Sequence, residues 1–176
     1  MTTPSIATAF TPAGTADSWA EVRADAGVTR YRRSGAGPAV LLLDTREDAG
    51  ALWPELLREL SDRFRFTLPE IPGGAALTGR WLAGFLEGLG GPPVRIIAVG
   101  PCTIPAFELA MRGAEQVSGV VLVPQEPGGA EPGEVMSARV PGAPVPMLVV
   151  RRQLAPERAV ALIRAFLAGD DSAAPG

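Results

Sequence analysis

The chain has 176 residues, 47% of them hydrophobic, and a formal net charge of −3. This length and apolar content predict one globular domain, because a chain of this size buries about 70% of the surface that it exposes when unfolded. The charge balance excludes the strongly basic surface that is typical of nucleic-acid-binding proteins.

Histidine is absent from the chain, and cysteine occurs once, at position 102. Without histidine the chain cannot supply the base of a Ser-His-Asp triad or a Cys-His pair, and it has no imidazole ligand for a metal. One cysteine excludes a disulfide within the chain and a metal site built from several thiolates. We therefore expect no metal and no cofactor.

The sequence predicts neither a membrane span nor a secretory leader. No apolar stretch approaches the ~20 residues of a transmembrane helix, and no basic segment is followed by an apolar one at the start of the chain. These features predict a cytoplasmic protein. The abundance of Arg, Gly, Pro and Ala, with no lysine, is typical of a bacterial genome rich in G and C.

The first half of the chain opens with small and polar residues at 1–18, which predict a flexible arm. Residues 19–33 alternate loosely around a turn and predict a hairpin of edge strands. The apolar run at 39–44 predicts a strand that is covered on both faces. Leucines at helical spacing predict a helix over 49–63, and a short strand follows at 64–70.

The second half of the chain alternates helices with strands. Helices are predicted over 77–89, 103–114 and 155–169, and strands over 93–100, 117–125 and 145–152. Pro and Gly predict a loop over 126–144, and residues 170–176 predict a disordered tail. The pattern predicts a single domain over 19–169, an α/β three-layer sandwich with a mostly parallel sheet.

The order of these elements resembles the α/β-hydrolase superfamily over roughly residues 20–168. The phrase VTRYRRSGAGPAVLLLDT is similar to the opening strands of that fold. The phrase VRIIAVGPCTIPAFELA is similar to its nucleophile strand, its elbow and the following helix, and VSGVVLVP is similar to a later strand. The resemblance implies a binding cleft at the carboxyl ends of the strands.

The chain departs from the pattern of this superfamily at its functional positions. The elbow G-x-S-x-G reads GPCTI at 100–104, so cysteine replaces serine and isoleucine replaces the second glycine. The His-Gly that follows the first buried strand is Asp44-Thr45, and the lid and the segment with the catalytic acid and His have no counterpart. The resemblance implies a truncated, degenerate and capless member without the triad.

Two residues are candidates for catalysis, Cys102 and Asp44. Cys102 lies where a helix is predicted to begin, and the unpaired N–H groups and the helix dipole there favour a thiolate. The alternative is that Cys102 is a small buried hydrophobe. Asp44 ends the first buried strand beside the elbow and is the candidate acid or base, the alternative being a solvated or capping carboxylate.

Further polar residues follow the predicted strands, where ligands of open α/β sheets bind. The candidate substrate-binding residues are Thr45, Arg46, Glu70, Pro101, Thr103, Gln125 and Arg151. Arg151, with Arg152, is suited to an anionic group. The alternative is that these residues are polar because loops are solvated. The aromatic residues Trp53, Trp81 and Phe85 lie on helical stripes and are predicted to belong to the core.

Two classes of function are consistent with these residues. The first is a non-hydrolytic enzyme of bacterial secondary metabolism, which acts on a small organic or acyl-type substrate by cyclisation, elimination, isomerisation or acyl transfer. The alternative is a pseudo-hydrolase that binds a ligand or a partner subunit without catalysis. A weaker third hypothesis is an esterase whose histidine comes from another chain. The expected partners are a small molecule or an acyl carrier and, through an exposed sheet edge, a second copy.

Overall fold

A computed structural model describes residues 18–25, 27–45, 52–125, 138–139, 142–150 and 154–169. In these ranges the strands are β1 (Ser18–Ala24), β2 (Gly27–Ser34), β3 (Ala39–Leu43), β4 (Arg65–Pro69), β5 (Val94–Val99), β6 (Val117–Val123), β7 (Ala138–Arg139) and β8 (Met147–Val149). The helices are α1 (Leu52–Leu60), α2 (Gly79–Leu89), α3 (Thr103–Met111) and α4 (Pro156–Ala168). Short 3₁₀ turns cover Gly74–Ala76 and Gly100–Cys102.

The strands of the described ranges form one sheet in the order β1-β2-β4-β3-β5-β6-β8-β7. The five central strands β4, β3, β5, β6 and β8 pair in parallel. The hairpin β1–β2 and the short β7 extend the two sides of the sheet with antiparallel pairs. The predicted α/β class with a mostly parallel sheet is therefore confirmed.

Both faces of the central sheet are covered by helices. Along β3, Leu41 and Leu43 pack with α2 and α3, whereas Val40 and Leu42 pack with α1 and α4. Alternate side chains of a strand point to opposite faces, so an uninterrupted apolar run such as AVLLL belongs to a strand buried on both sides. The carboxyl ends of these strands consequently lie between two helical layers.

Among the described residues, one face of the hairpin β1–β2 is covered, by α2. Val22 of β1 is buried there, and Gly88 of α2 lies so close that an added Cβ would stand 2.3 Å from the Val22 side chain. Trp81 of α2 donates its indole N–H to the Thr29 hydroxyl at 3.1 Å. On the other face Trp19 stays 44% exposed. Because Gly88 has no side chain, α2 can pack closely against β1.

The boundaries differ from the predicted ones at a few places. Ser18 belongs to β1 and not to the arm, and the helix predicted over 49–63 covers 52–60 in the described residues. The segment predicted as a loop over 126–144 contains β7, which pairs with β8. The rest of the predicted arm, most of that loop and the tail at 170–176 lie outside the described residues.

The helix predicted over 103–114 ends at Met111, and Gly113 turns the chain with a φ of +65°. Trp81 and Phe85 are buried and stack with their ring centres 5.9 Å apart, as predicted for core residues. None of the helices in the described ranges is long and apolar enough to cross a membrane.

Candidate functional site

The predicted site lies at the carboxyl edge of the central strands. Leu43 of β3 pairs with Ala98 of β5, so Asp44 comes level with Val99, three residues before Cys102. Leu41 pairs with Thr67 of β4, which brings Glu70 to the same level on the other side. The register therefore collects these predicted residues along one edge of the sheet.

The chain leaves β5 through a tight 3₁₀ turn at Gly100–Cys102. Gly100 has a φ of +57°, which favours glycine, whereas Cys102 has an ordinary right-handed helical conformation at φ −68° and ψ −15°. In a nucleophile elbow the strained position is the nucleophile itself, and its side chain is exposed at the top of the sheet. Here the left-handed position is Gly100, which adopts it without strain, and Cys102 carries no backbone strain.

The Cys102 side chain is 0% exposed. It belongs to the apolar cluster between the sheet and the helices α2 and α3, which includes Leu43, Leu82 and Ala106. The thiol is enclosed by these side chains, so a substrate cannot approach it without displacing them.

Both hydrogen-bond donors of Thr103 are used within the turn. The Thr103 hydroxyl donates to the Gly100 carbonyl at 2.7 Å. The Thr103 backbone N–H donates to the carbonyls of Gly100 and Pro101. In a nucleophile elbow the N–H of the residue after the nucleophile binds the oxyanion. The equivalent donor of this chain is directed at its own backbone.

Asp44 is held by a residue of α1. The Trp53 indole N–H donates to Oδ2 of Asp44 at 2.5 Å, and Oδ1 is shielded from solvent. Trp53 itself is half-buried and packs against the cluster under α1 and α4. The Asp44 carboxylate is therefore fixed at the end of β3 by a bond to a neutral donor.

The known proteins that are similar to this chain are found among solved structures. No protein-family model matches the chain, and no curated protein matches it. Among solved structures, a serine hydrolase involved in carbazole degradation superposes with a TM-score of 0.51 and 17% identity, over 65% of this chain and 50% of that one. An epoxide hydrolase from Vigna radiata superposes with a TM-score of 0.50 and 20% identity, over 61% of this chain and 40% of that one.

A third structure, an epoxide hydrolase from metagenomes of hot environments, gives a TM-score of 0.50 and 21% identity, over 62% of this chain and 43% of that one. These solved proteins and this chain share one fold, and the strand order of this chain is the one given above. The chain has an α/β-hydrolase fold. It spans half or less of the length of these three solved proteins.

The other residues predicted for the α/β-hydrolase cleft differ in their exposure to solvent. Thr45 is half-buried after Asp44, whereas Glu70, Pro101 and Gln125 are exposed. Glu70 is tied to the hairpin, because its backbone N–H donates to the Arg30 carbonyl at 2.8 Å. Arg46, Arg151 and Arg152 lie outside the described residues.

An ion pair on the surface of α1 shifts the pKa values of both its members. The pKa of the Glu55 carboxyl is lowered, first by the hydrogen bond from Arg58, and the same bond raises the pKa of the Arg58 guanidinium. The two residues are spaced i, i+3 on one helix, so the pair stabilises the helix. In the part of the chain that the structure describes, no three His, Cys, Asp or Glu side chains are grouped to hold a metal.

Sequence reasoning missed two features of the site. One is Trp53, predicted only as a core residue, which holds Asp44. The other is the closure of the elbow by Thr103. The sequence signal for the second was present in Ile104, which stands where the α/β-hydrolase pattern has its second glycine.

Proposed function

We propose that this chain is a pseudo-hydrolase, which binds a small organic or acyl-type molecule at the carboxyl edge of its sheet and does not hydrolyse it. The observation that carries the proposal is the closed elbow: the Cys102 thiol is fully buried, and the Thr103 N–H is bonded within the turn. Acyl transfer needs an accessible nucleophile and donors aimed at the oxyanion. The absence of histidine from the chain points the same way.

Binding at this edge is supported by the residues that surround it. Parallel strands end here, where open α/β sheets hold their ligands. Ile104 is 65% exposed in the first turn of α3, three residues after the exposed Pro101, and offers an apolar contact at the edge of the sheet where β3 ends before Asp44. An apolar molecule with one polar group fits this composition.

The proposal is tested with p-nitrophenyl butyrate as both ligand and ester. We expect saturation-transfer NMR to show binding to the protein, and no release of nitrophenol above the rate of Cys102→Ala. Ile104→Ser should weaken binding. Met111→Ser is the matched control, because Met111 is also an exposed apolar residue of α3, 42%, and lies at the opposite end of that helix from Ile104. Turnover that disappears in Cys102→Ala would refute the proposal, as would binding unaffected by Ile104→Ser.

The second candidate function is a non-hydrolytic enzyme in which Asp44 moves a proton, with an acyl-type substrate of bacterial secondary metabolism. The hydrogen bond from Trp53 favours this candidate, because it holds a carboxylate in one orientation at the binding edge. An isomerisation or elimination that is lost in Asp44→Asn and kept in Cys102→Ala would establish it. Retention of that activity in Asp44→Asn would exclude it.

A further inference from the structure

The outer side of β1 is an edge of the sheet. β1 stands at the end of the sheet, and no strand of the described residues pairs with its outer side. An unpaired edge presents a row of N–H and C=O groups to which another strand can add. β1 is seven residues long, which is enough for a ladder of several bonds.

The hairpin register shows which residues of β1 direct their backbone groups outward. Ala24 pairs with Gly27, so two residues connect the strands, and the residues that flank such a connection bond to each other. Hydrogen-bonded and non-hydrogen-bonded residue pairs then alternate along the hairpin. Trp19, Glu21 and Arg23 therefore direct their N–H and C=O groups to the outer edge.

The side chains of these outward residues are complementary to a second copy of the same strand. In an antiparallel pair of two β1 strands with its twofold axis at Val22, Glu21 stands opposite the partner's Arg23, and Arg23 stands opposite the partner's Glu21. Ala20 then stands opposite the partner's Ala24. Opposite charges directly across a strand pair stabilise it, and like charges destabilise it.

Neighbouring registers lack this complementarity. A shift of two residues one way places Glu21 opposite the partner's Glu21, and a shift the other way places Arg23 opposite the partner's Arg23. A shift of the register by one residue would place the apolar side chains of one β1 strand on the face that carries the charged side chains of the other. Glu21 and Arg30 of one chain approach only to 4.0 Å, with about half of each side chain exposed, so the Glu21 carboxylate is accessible to a second cation.

We propose that two copies of this chain associate through their β1 strands, antiparallel and with the twofold axis at Val22. The two sheets of eight strands then join into one continuous sheet. The interface is isologous, since the same residues of both copies meet. The Glu21–Arg23 pairs, formed twice by the symmetry, select this register over its neighbours.

The test is sedimentation equilibrium of the full chain with charge reversals. We expect the wild-type chain to dimerise, and Glu21→Arg and Arg23→Glu each to weaken the dimer by at least about tenfold, because two attractive pairs become repulsive. An equal mixture of the two variants should dimerise again, since every Arg then faces a Glu. Glu115→Arg, an exposed reversal away from β1, should leave the dimer unchanged.

Three results would overturn the proposal: a wild-type monomer, a dimer that survives both reversals, or a mixture that stays monomeric. Circular dichroism of each variant checks that it is folded. The measurement uses no ester or ligand, so its outcome is independent of the function proposed above.

Discussion

Replacing Cys102 by serine exchanges the buried sulfur atom of the elbow for a polar oxygen atom. Because the side chain is 0% exposed and lies in the apolar cluster of α2 and α3, the serine hydroxyl has to be taken out of water. Burial of a hydroxyl in an apolar environment costs about 1–3 kcal/mol by mutational data. Cys102→Ala removes the sulfur without adding a polar group, and we expect it to cost about 1 kcal/mol.

The assay is urea unfolding followed by circular dichroism. With a slope of about 2 kcal/mol per molar urea, a loss of about 2 kcal/mol lowers the midpoint by about 1 M. The order of the three chains is the decisive observation: wild type most stable, then alanine, then serine. An exposed nucleophile in a strained elbow would give the opposite result, with serine equal to wild type and alanine neutral or stabilising.

Three further substitutions test the packing around the site. Trp53→Phe removes the indole donor to Asp44 and should cost about 2 kcal/mol of unfolding free energy, and Asp44→Asn should add little to that loss in a double-mutant cycle. Gly88→Ala places a Cβ 2.3 Å from Val22 and should cost about 1–3 kcal/mol by urea unfolding; a neutral result would contradict the close packing of α2. Thr78→Ala removes the cap that accepts the Trp81 backbone N–H and should lower the thermal midpoint by the equivalent of about 1 kcal/mol; no change would refute the cap.

The buried strands and the amphipathic helices are the part of the fold that the sequence predicts well. An apolar run such as 39–43 has one stable place, the middle of a sheet that is covered on both faces. The stripe of α2 that includes Trp81 and Phe85 has the period of a helix with one apolar face. These patterns are local, so they can be read without knowing the rest of the structure.

The state of the elbow is harder to predict, because it depends on backbone bonds over four residues. A strand followed by Gly100, Pro101 and Cys102 is consistent with an open elbow and with a closed 3₁₀ turn. The bonds from the Thr103 hydroxyl and N–H belong to the closed form. Threonine often bonds to nearby backbone carbonyls, so its presence after the cysteine is compatible with closure but does not require it.

The contact between Asp44 and Trp53 cannot be predicted from the sequence. The two residues are nine positions apart and belong to different elements, and Trp53 fits a helical stripe without any such bond. Periodicity assigns the face of a helix but not the hydrogen bond that an indole at its edge makes. The partner of Asp44 therefore becomes known only from the structure.

The reaction of the Cys102 thiol in the folded chain tests the closed elbow most directly. The folded protein and the urea-unfolded protein are each treated with p-nitrophenyl butyrate and with iodoacetamide, and intact mass is followed over time. If the thiol reacts only when the core opens, a stability of about 5 kcal/mol makes the folded chain more than a thousandfold slower than the unfolded one. We predict that difference with both reagents. A butyryl adduct on Cys102 of the folded chain, formed as fast as in the unfolded chain, would contradict the closed elbow and the pseudo-hydrolase assignment.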